Sequence, residues 1–461
     1  MPTSTSSLPQ QSLLALLFLA ASPCVVAQEG GEAAAPMAAA EVVTEGGGES
    51  ISPIPTEGAG LTTGGAGEVA DVSLQEAPVI PASFLFNTGA GAVYDDNIYQ
   101  TNDDTVADTV LLVSAGFTWT PRVTDTSAFA LTYNATLFHY LEQDDLGGDV
   151  NHDAALAGKL TVGETSLTSA VSFKRLSGSD LSLSGSGFGG SVLGGGSGSQ
   201  QALVSNPEDR NLNPQDVRDM LTAAFGFSRP LAGKTSVNGG VNYTANLYED
   251  PLPSTQTYSG QLGLGYLVGA RTTVGVSGVI GRTDGDDGSL SEDYEQFLGT
   301  VSYDATEKLD FSGSAGLNFR QSDVTGASDR TDFVFNISTR YQWRDRTGLF
   351  LTAGRNTQSS VTELESAINR TTVYVGVDQR IADRWSLQVS GGYDLSDYED
   401  AQNDFAQTRE ETFLTGRVSL NFRPTDRATI GLFNEYRQND AGDDISSYEG
   451  NRLGLQIGVQ F

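Results

Sequence analysis

The 461-residue chain has a single cysteine, Cys24, two histidines and three tryptophans. One cysteine excludes an internal disulfide and any metal site built from several thiolates. Basic residues are also scarce. Lys and Arg number 26 against 58 Asp and Glu, which leaves a formal charge of −32. A phosphate backbone demands a basic surface, so nucleic acid is excluded as a partner. Past the N-terminal region no run approaches the ~18 apolar residues of a helical membrane span.

The N-terminal 80 residues carry two further absences. The apolar core Leu13–Ala21 and the small-residue ending Val25-Val26-Ala27 predict a secretory signal over residues 1–27, cleaved between Ala27 and Gln28. Residues 1–11 lack the usual Lys or Arg, and Pro23 stands before Cys24 where a lipid-attachment site wants a small residue. The processed chain then has no cysteine. Residues 28–80 contain no Lys, no Arg and no aromatic side chain, but nine carboxylates. Such a segment buries too little apolar surface to offset its ordering entropy, so it is expected to be a disordered acidic periplasmic linker. A tether for an envelope partner is the alternative.

What the chain has in quantity is glycine (54), phenylalanine (21) and tyrosine (16), arranged in alternation. The last nine residues show it most plainly. Leu453, Leu455, Ile457, Val459 and Phe461 alternate with Gly454, Gln456, Gly458 and Gln460. Period two places every large apolar side chain on one face of a strand. A terminal strand of this kind, ending on an aromatic residue, is expected to be the signal that outer-membrane assembly machinery reads. From residue 81 onward the theme repeats. In 236–247, Val237, Val241, Tyr243 and Leu247 oppose Ser236, Asn238, Asn242 and Asn246. Eighteen such segments can be counted, with sixteen as the alternative where alternation weakens over 154–176.

The connections alternate too. One set is short, as at 163–165, 269–271 and 344–346; the other is longer and acidic, as at 95–108, 142–153 and 399–410, with the longest spanning 177–216. Short turns on one side and long loops on the other are the arrangement of a transmembrane barrel with both strand-series ends in the periplasm. A soluble sandwich would leave the apolar outer face in water, where it would aggregate. The predicted fold is therefore all-β: a transmembrane antiparallel up-and-down barrel over residues 81–461. At about 16 to 18 strands such a barrel encloses an aqueous lumen unless something plugs it. The residues expected to line it are Asn238, Asn242, Gln261, Asn318, Arg320, Arg340, Tyr374, Arg417, Asn421, Arg452 and Gln456. This wall is polar and mostly neutral, which suits sugars; bracing of the barrel wall is the alternative role. Tyr374, Phe413 and Phe433, on the same side, either stack on sugar rings or pack against an inward-folded 177–216 loop.

The opening hairpin, Tyr94-Asp95-Asp96-Asn97-Ile98-Tyr99 followed by Asp108–Phe117, resembles the start of the β-barrel porin type 2 family. Ala115 stands where that family often has proline. The resemblance extends over 83–461 and implies an outer-membrane conduit encoded beside exopolysaccharide and capsule genes. For some members it implies a polysaccharide secretion pore working with periplasmic export proteins.

No catalytic constellation emerges. His139 falls late in the third strand and His152 in an acidic loop, and there is no G-x-S-x-G elbow. No cofactor is expected beyond weak Ca²⁺ or Mg²⁺ on acidic surface loops that face lipopolysaccharide. The expected function is a bacterial outer-membrane pore for polar solutes, with polysaccharide export the leading form by resemblance. A plugged surface-binding or adhesion barrel and an outer-membrane hydrolase are the rivals. Expected partners are outer-membrane lipid and lipopolysaccharide, the assembly machinery, and periplasmic polysaccharide-export proteins.

Overall fold

A computed structural model describes residues 83–121, 124, 126–143, 146, 150–177, 217–248, 254–286, 291–306, 308–323, 329–359, 367–399, 409–441 and 447–461. The signal, linker and most acidic-loop expectations, including Ala27, Gln28 and 178–216, lie outside these residues.

Eighteen strands form one antiparallel sheet: β1 Ser83–Asp95, β2 Asp108–Thr120, β3 Ser127–Tyr140, β4 Val150–Val162, β5 Thr165–Ser177, β6 Val217–Pro230, β7 Thr235–Tyr248, β8 Thr255–Leu267 and β9 Thr272–Gly285, then β10 Ser291–Thr306, β11 Leu309–Ser322, β12 Arg330–Arg344, β13 Thr347–Ser359, β14 Ala367–Ala382, β15 Trp385–Glu399, β16 Arg409–Thr425, β17 Ala428–Asp440 and β18 Tyr448–Gln460. Each strand pairs with its sequence neighbours, and β1 pairs with β18 from Asn87↔Gln460 to Asp95↔Arg452, which closes the sheet. Beyond the last strand, the Phe461 N–H donates to Phe86 O at 2.8 Å and the Phe86 N–H to Phe461 O at 3.2 Å. Closure leaves no edge strand, which is the condition for a sheet to cross hydrocarbon.

The short turns all fall at one end. Gly163 and Gly233 take φ of +60° and +69° in the β4–β5 and β6–β7 turns, a region that a side chain would strain. Register shifts at Asp304/Thr306, Gln342/Arg344, Arg380/Ala382 and Phe422/Thr425 lie at this same end, where an extra residue bends the strand into its hairpin.

Large apolar side chains are exposed all around the sheet on one face, from Leu262 and Val276 through Phe297, Phe333 and Val375 to Leu432 and Leu455. The three tryptophans, Trp119, Trp343 and Trp385, sit on that face near the short-turn end, with Tyr266, Tyr303, Tyr341 and Phe461. Tyr94, Tyr258 and Phe333 occupy it near the loop end. An apolar band with aromatic girdles matches the two interfaces of a bilayer.

The strand starts follow the sequence reading closely. The largest departure is β4: the alternation predicts its start near Ala154, and it begins at Val150. His152 is therefore a strand residue on the outward face, not a loop residue. Its Nδ1 lies 2.9 Å from the Tyr133 hydroxyl.

Candidate functional site

Alternation within each strand divides the side chains between an outward apolar face and an inward face. All eleven positions named from the sequence fall inward. Asn238 and Asn242 lie opposite exposed Val241, and Gln261 opposite Leu262. Asn318 and Arg320 bracket the outward Phe319, and Arg340 adjoins the outward Tyr341. Tyr374 lies between the outward Val373 and Val375; Arg417 and Asn421 lie opposite Val418. Arg452 and Gln456 lie opposite Leu453, Leu455 and Ile457.

The inward face is not one uniform neutral wall. Its loop-end half is buried, and its short-turn half is more open, apart from Ala128 and Ala130 on β3 and Thr429 on β17. Arg452 is 1% exposed, Glu435 2% and Asn318 0%, whereas Ser302, Asp310, Ser312, Arg340 and Arg380 are exposed. Side chains on the wall of an aqueous lumen are wetted. Those of the loop-end half are shielded from water.

Ion pairs hold the buried half together. Four directly opposed residues on consecutive strands alternate in charge: Asp95 on β1, Arg452 on β18, Glu435 on β17 and Arg417 on β16. Arg452 Nε donates to Asp95 Oδ2 at 2.7 Å and Arg437 Nη2 to the same oxygen at 3.0 Å. Arg417 Nη1 donates to Glu435 Oε2 at 3.3 Å, and Arg452 Nη1 lies 3.8 Å from Glu435 Oε1. The Arg417 guanidinium also stands 4.2 Å over the Phe433 ring. Further round, Arg370 Nε donates to Asp394 Oδ2 at 2.5 Å and the Tyr398 hydroxyl to Glu411 Oε2 at 3.2 Å. Across the barrel, Arg320 Nη1 meets Glu292 Oε2 at 3.1 Å, with Arg320 over the Tyr294 ring. Buried charges persist only where partners compensate the loss of water, and each of these has one.

Beside this belt lies an inward apolar cluster of Val93, Val110, Leu112, Phe138 and Phe433. Its sequence signal is the unbroken run Val110-Leu111-Leu112-Val113, in which alternation disappears because the inward face of β2 is apolar as well as the outward one. Phe433 and Phe413 are buried, and Tyr374 packs 5.5 Å from Phe350. These three aromatics are packed into the wall rather than presented to the lumen.

The opening-hairpin motif ties the seam. Asp95 holds the two arginines. Asp96 Oδ1 accepts the Asn451 N–H at 2.6 Å, and Asn97 Nδ2 donates to Thr101 O at 2.7 Å and Glu449 O at 2.9 Å. Asp108 accepts the N–H groups of Leu141, Glu142 and Gln143, at 3.0 to 3.2 Å. The first loop is thereby fastened both to the last strand and to the β3–β4 connection.

His139 and His152 both point outward, away from the inward carboxylates. Among the described residues, no group of three or more His, Cys, Asp or Glu is placed to hold a metal ion.

No protein-family model matches the chain, and no curated protein matches it. Solved structures do. The FrpB iron transporter from Neisseria meningitidis superposes with a TM-score of 0.45 at 12% identity, covering 83% of this chain and 82% of its own. OccAB4 from Acinetobacter baumannii gives 0.42 at 10%, covering 83% and 99%. The siderophore receptor PirA from Pseudomonas aeruginosa gives 0.39 at 9%, covering 84% and 81%. These identities are low and the scores modest, so the assignment rests on the chain's own register. An even-numbered closed sheet, apolar outside, with its strand series starting and finishing on the short-turn side, satisfies the requirements of one membrane. The chain forms an eighteen-stranded β-barrel of the bacterial outer membrane.

Proposed function

We propose that the barrel is a conduit that carries polar solutes across the outer membrane, and that polysaccharide is its cargo. The observation that carries the conduit is the division of faces: hydrocarbon-compatible side chains outside, and hydroxyls, amides and paired charges inside an eighteen-strand circumference. Of the eleven inward residues, Asn238, Asn242, Gln261, Arg340, Asn421 and Gln456, which keep some exposure, are its proposed lining, and the buried Asn318, Arg320, Tyr374, Arg417 and Arg452 are proposed to brace the wall. The cargo rests on the resemblance of the opening hairpin. So do the proposed partners, the periplasmic export proteins, which would meet the barrel at its short-turn end. Lipopolysaccharide is the proposed neighbour of the loop end, and weak Ca²⁺ or Mg²⁺ there would bridge its phosphates to loop carboxylates. Leu453, Leu455, Ile457, Val459 and Phe461 are the proposed assembly signal.

One observation favours a second reading. The buried belt in the loop-end half is also what a plugged, surface-binding barrel would have. Planar-bilayer recording separates the two. A conduit gives steady steps or transient openings of fixed size; a permanently plugged barrel stays silent at every voltage the bilayer withstands.

A further inference from the structure

The inward face of β9–β14 has an order of its own. Thr273, Ser302, Ser312, Ser338, Thr352 and Tyr374 are each directly opposite the next on six consecutive strands. They form one row of hydroxyls, one per strand, at the strand spacing of about 4.8 Å. A second row runs two residues away along each strand: Thr300, Ser314 and Asn336 in direct opposition, then Gly354 and Thr372. Both rows are neutral throughout.

Because barrel strands tilt by about 35–45°, a row perpendicular to them climbs obliquely along the wall. The first begins at Thr273, the second residue of β9 at the short-turn end. It continues from Tyr374 through Gly392 and Thr415 to Arg437, in the buried belt. Exposure falls along the climb. Ser302 and Ser312 are exposed, Ser338 and Thr352 half-buried, Tyr374 buried. In the belt, Asp95, Arg452, Arg437, Glu435 and Arg417 pair with one another. Along the panel, no side-chain hydrogen bond among the described residues engages Ser302, Ser312, Ser338, Thr352, Thr300, Ser314, Asn336 or Thr372.

We propose that this panel is a solute track that takes neutral, polyhydroxylated chains from the short-turn mouth up to the belt. The inference rests on the conduit reading and names the class of solute it would carry. Each hydroxyl both donates and accepts, so it matches a sugar hydroxyl in either sense. Exchanging water for solute at each rung changes the free energy little, which lets a chain move from rung to rung. The panel offers no counter-ion to an anionic chain. The flanking Arg340 and Asp310 are directly opposite each other and offset in charge.

The test uses the full chain refolded in detergent and titrated calorimetrically with maltohexaose and with a galacturonate oligomer of equal length. Maltohexaose is expected to bind and the galacturonate to bind weakly or not at all. Combined Ser302→Ala, Ser312→Ala and Ser338→Ala should weaken maltohexaose binding about ten-fold, equivalent to ~1.4 kcal/mol. A heat-modifiable gel shift checks that the variant is folded; if it is not, single Ser312→Ala at its exposed position repeats the comparison in the same direction. No maltohexaose binding by the wild type, unchanged binding by the folded variants, or equal binding of the galacturonate would each overturn the track. Calorimetry needs no current. A barrel silent in bilayers that still binds through these serines would fail as a conduit while keeping the track; a conducting barrel without the binding would do the reverse.

Discussion

At the scale of single residues, Arg452 is the most consequential side chain. It sits between Asp95 and Glu435 with all three nearly sealed from water. Arg452→Ala leaves two carboxylates short of a cation in the belt, and the expected loss is about 3–5 kcal/mol. Urea unfolding of the barrel refolded in lipid vesicles would read it; a loss under ~1 kcal/mol would mean that the belt is wet. Gly454, directly opposite Phe433, makes a second case. A Cβ there collides with the Phe433 ring, so Gly454→Ala must push that ring from its place over Arg417's neighbourhood. A loss of about 1–3 kcal/mol follows from overpacking, and Phe433→Leu in the same background should recover part of it. Alternation alone marks Arg452 and Gly454 as inward. Their partners are another matter: Asp95 lies 357 residues away from Arg452, and no period in the sequence joins them.

At the scale of strands, neighbouring residues should differ sharply in what they tolerate. Leu262 faces out and Gln261 in, near the middle of β8. Leu262→Arg should destabilise the barrel by about 2–4 kcal/mol, whereas Gln261→Arg should cost under ~1 kcal/mol. Equal costs would deny the division of faces. Removing Phe461 takes away an exposed girdle aromatic and both hydrogen bonds to Phe86 at the seam. The expected result is a clear drop in folded barrel recovered from outer membranes, scored by heat-modifiability. Strands were the most legible part of the sequence, because period two survives wherever lipid lies on one side and water or polar side chains on the other. It fails at Val110–Val113, where the inward face is apolar as well, and it blurs at the start of β4, where the polar His152 follows Val150 on the outward face.

At the scale of the whole barrel, the closed circle followed from strand count, turn parity and the apolar outer face. The burial of the loop-end half did not. Inward residues of β15–β18 read as ordinary polar lining, and only cross-strand register reveals that Asp95, Arg452, Glu435 and Arg417 fall into one alternating row. The same register discloses the hydroxyl panel, whose members are common residue types with no local signature. Burial in one half and exposure in the other distinguish the two ends of the inward face.

The central claim is that hydrocarbon touches the apolar outer face, and the three native tryptophans report on it without engineering. Trp119, Trp343 and Trp385 all face outward near the short-turn end. In vesicles of brominated phosphatidylcholine, their fluorescence should be strongly quenched, more by bromines placed shallow on the acyl chain than by deep ones, and only weakly by aqueous acrylamide. Strong acrylamide quenching with no response to bromine would place these residues in water and contradict the membrane barrel.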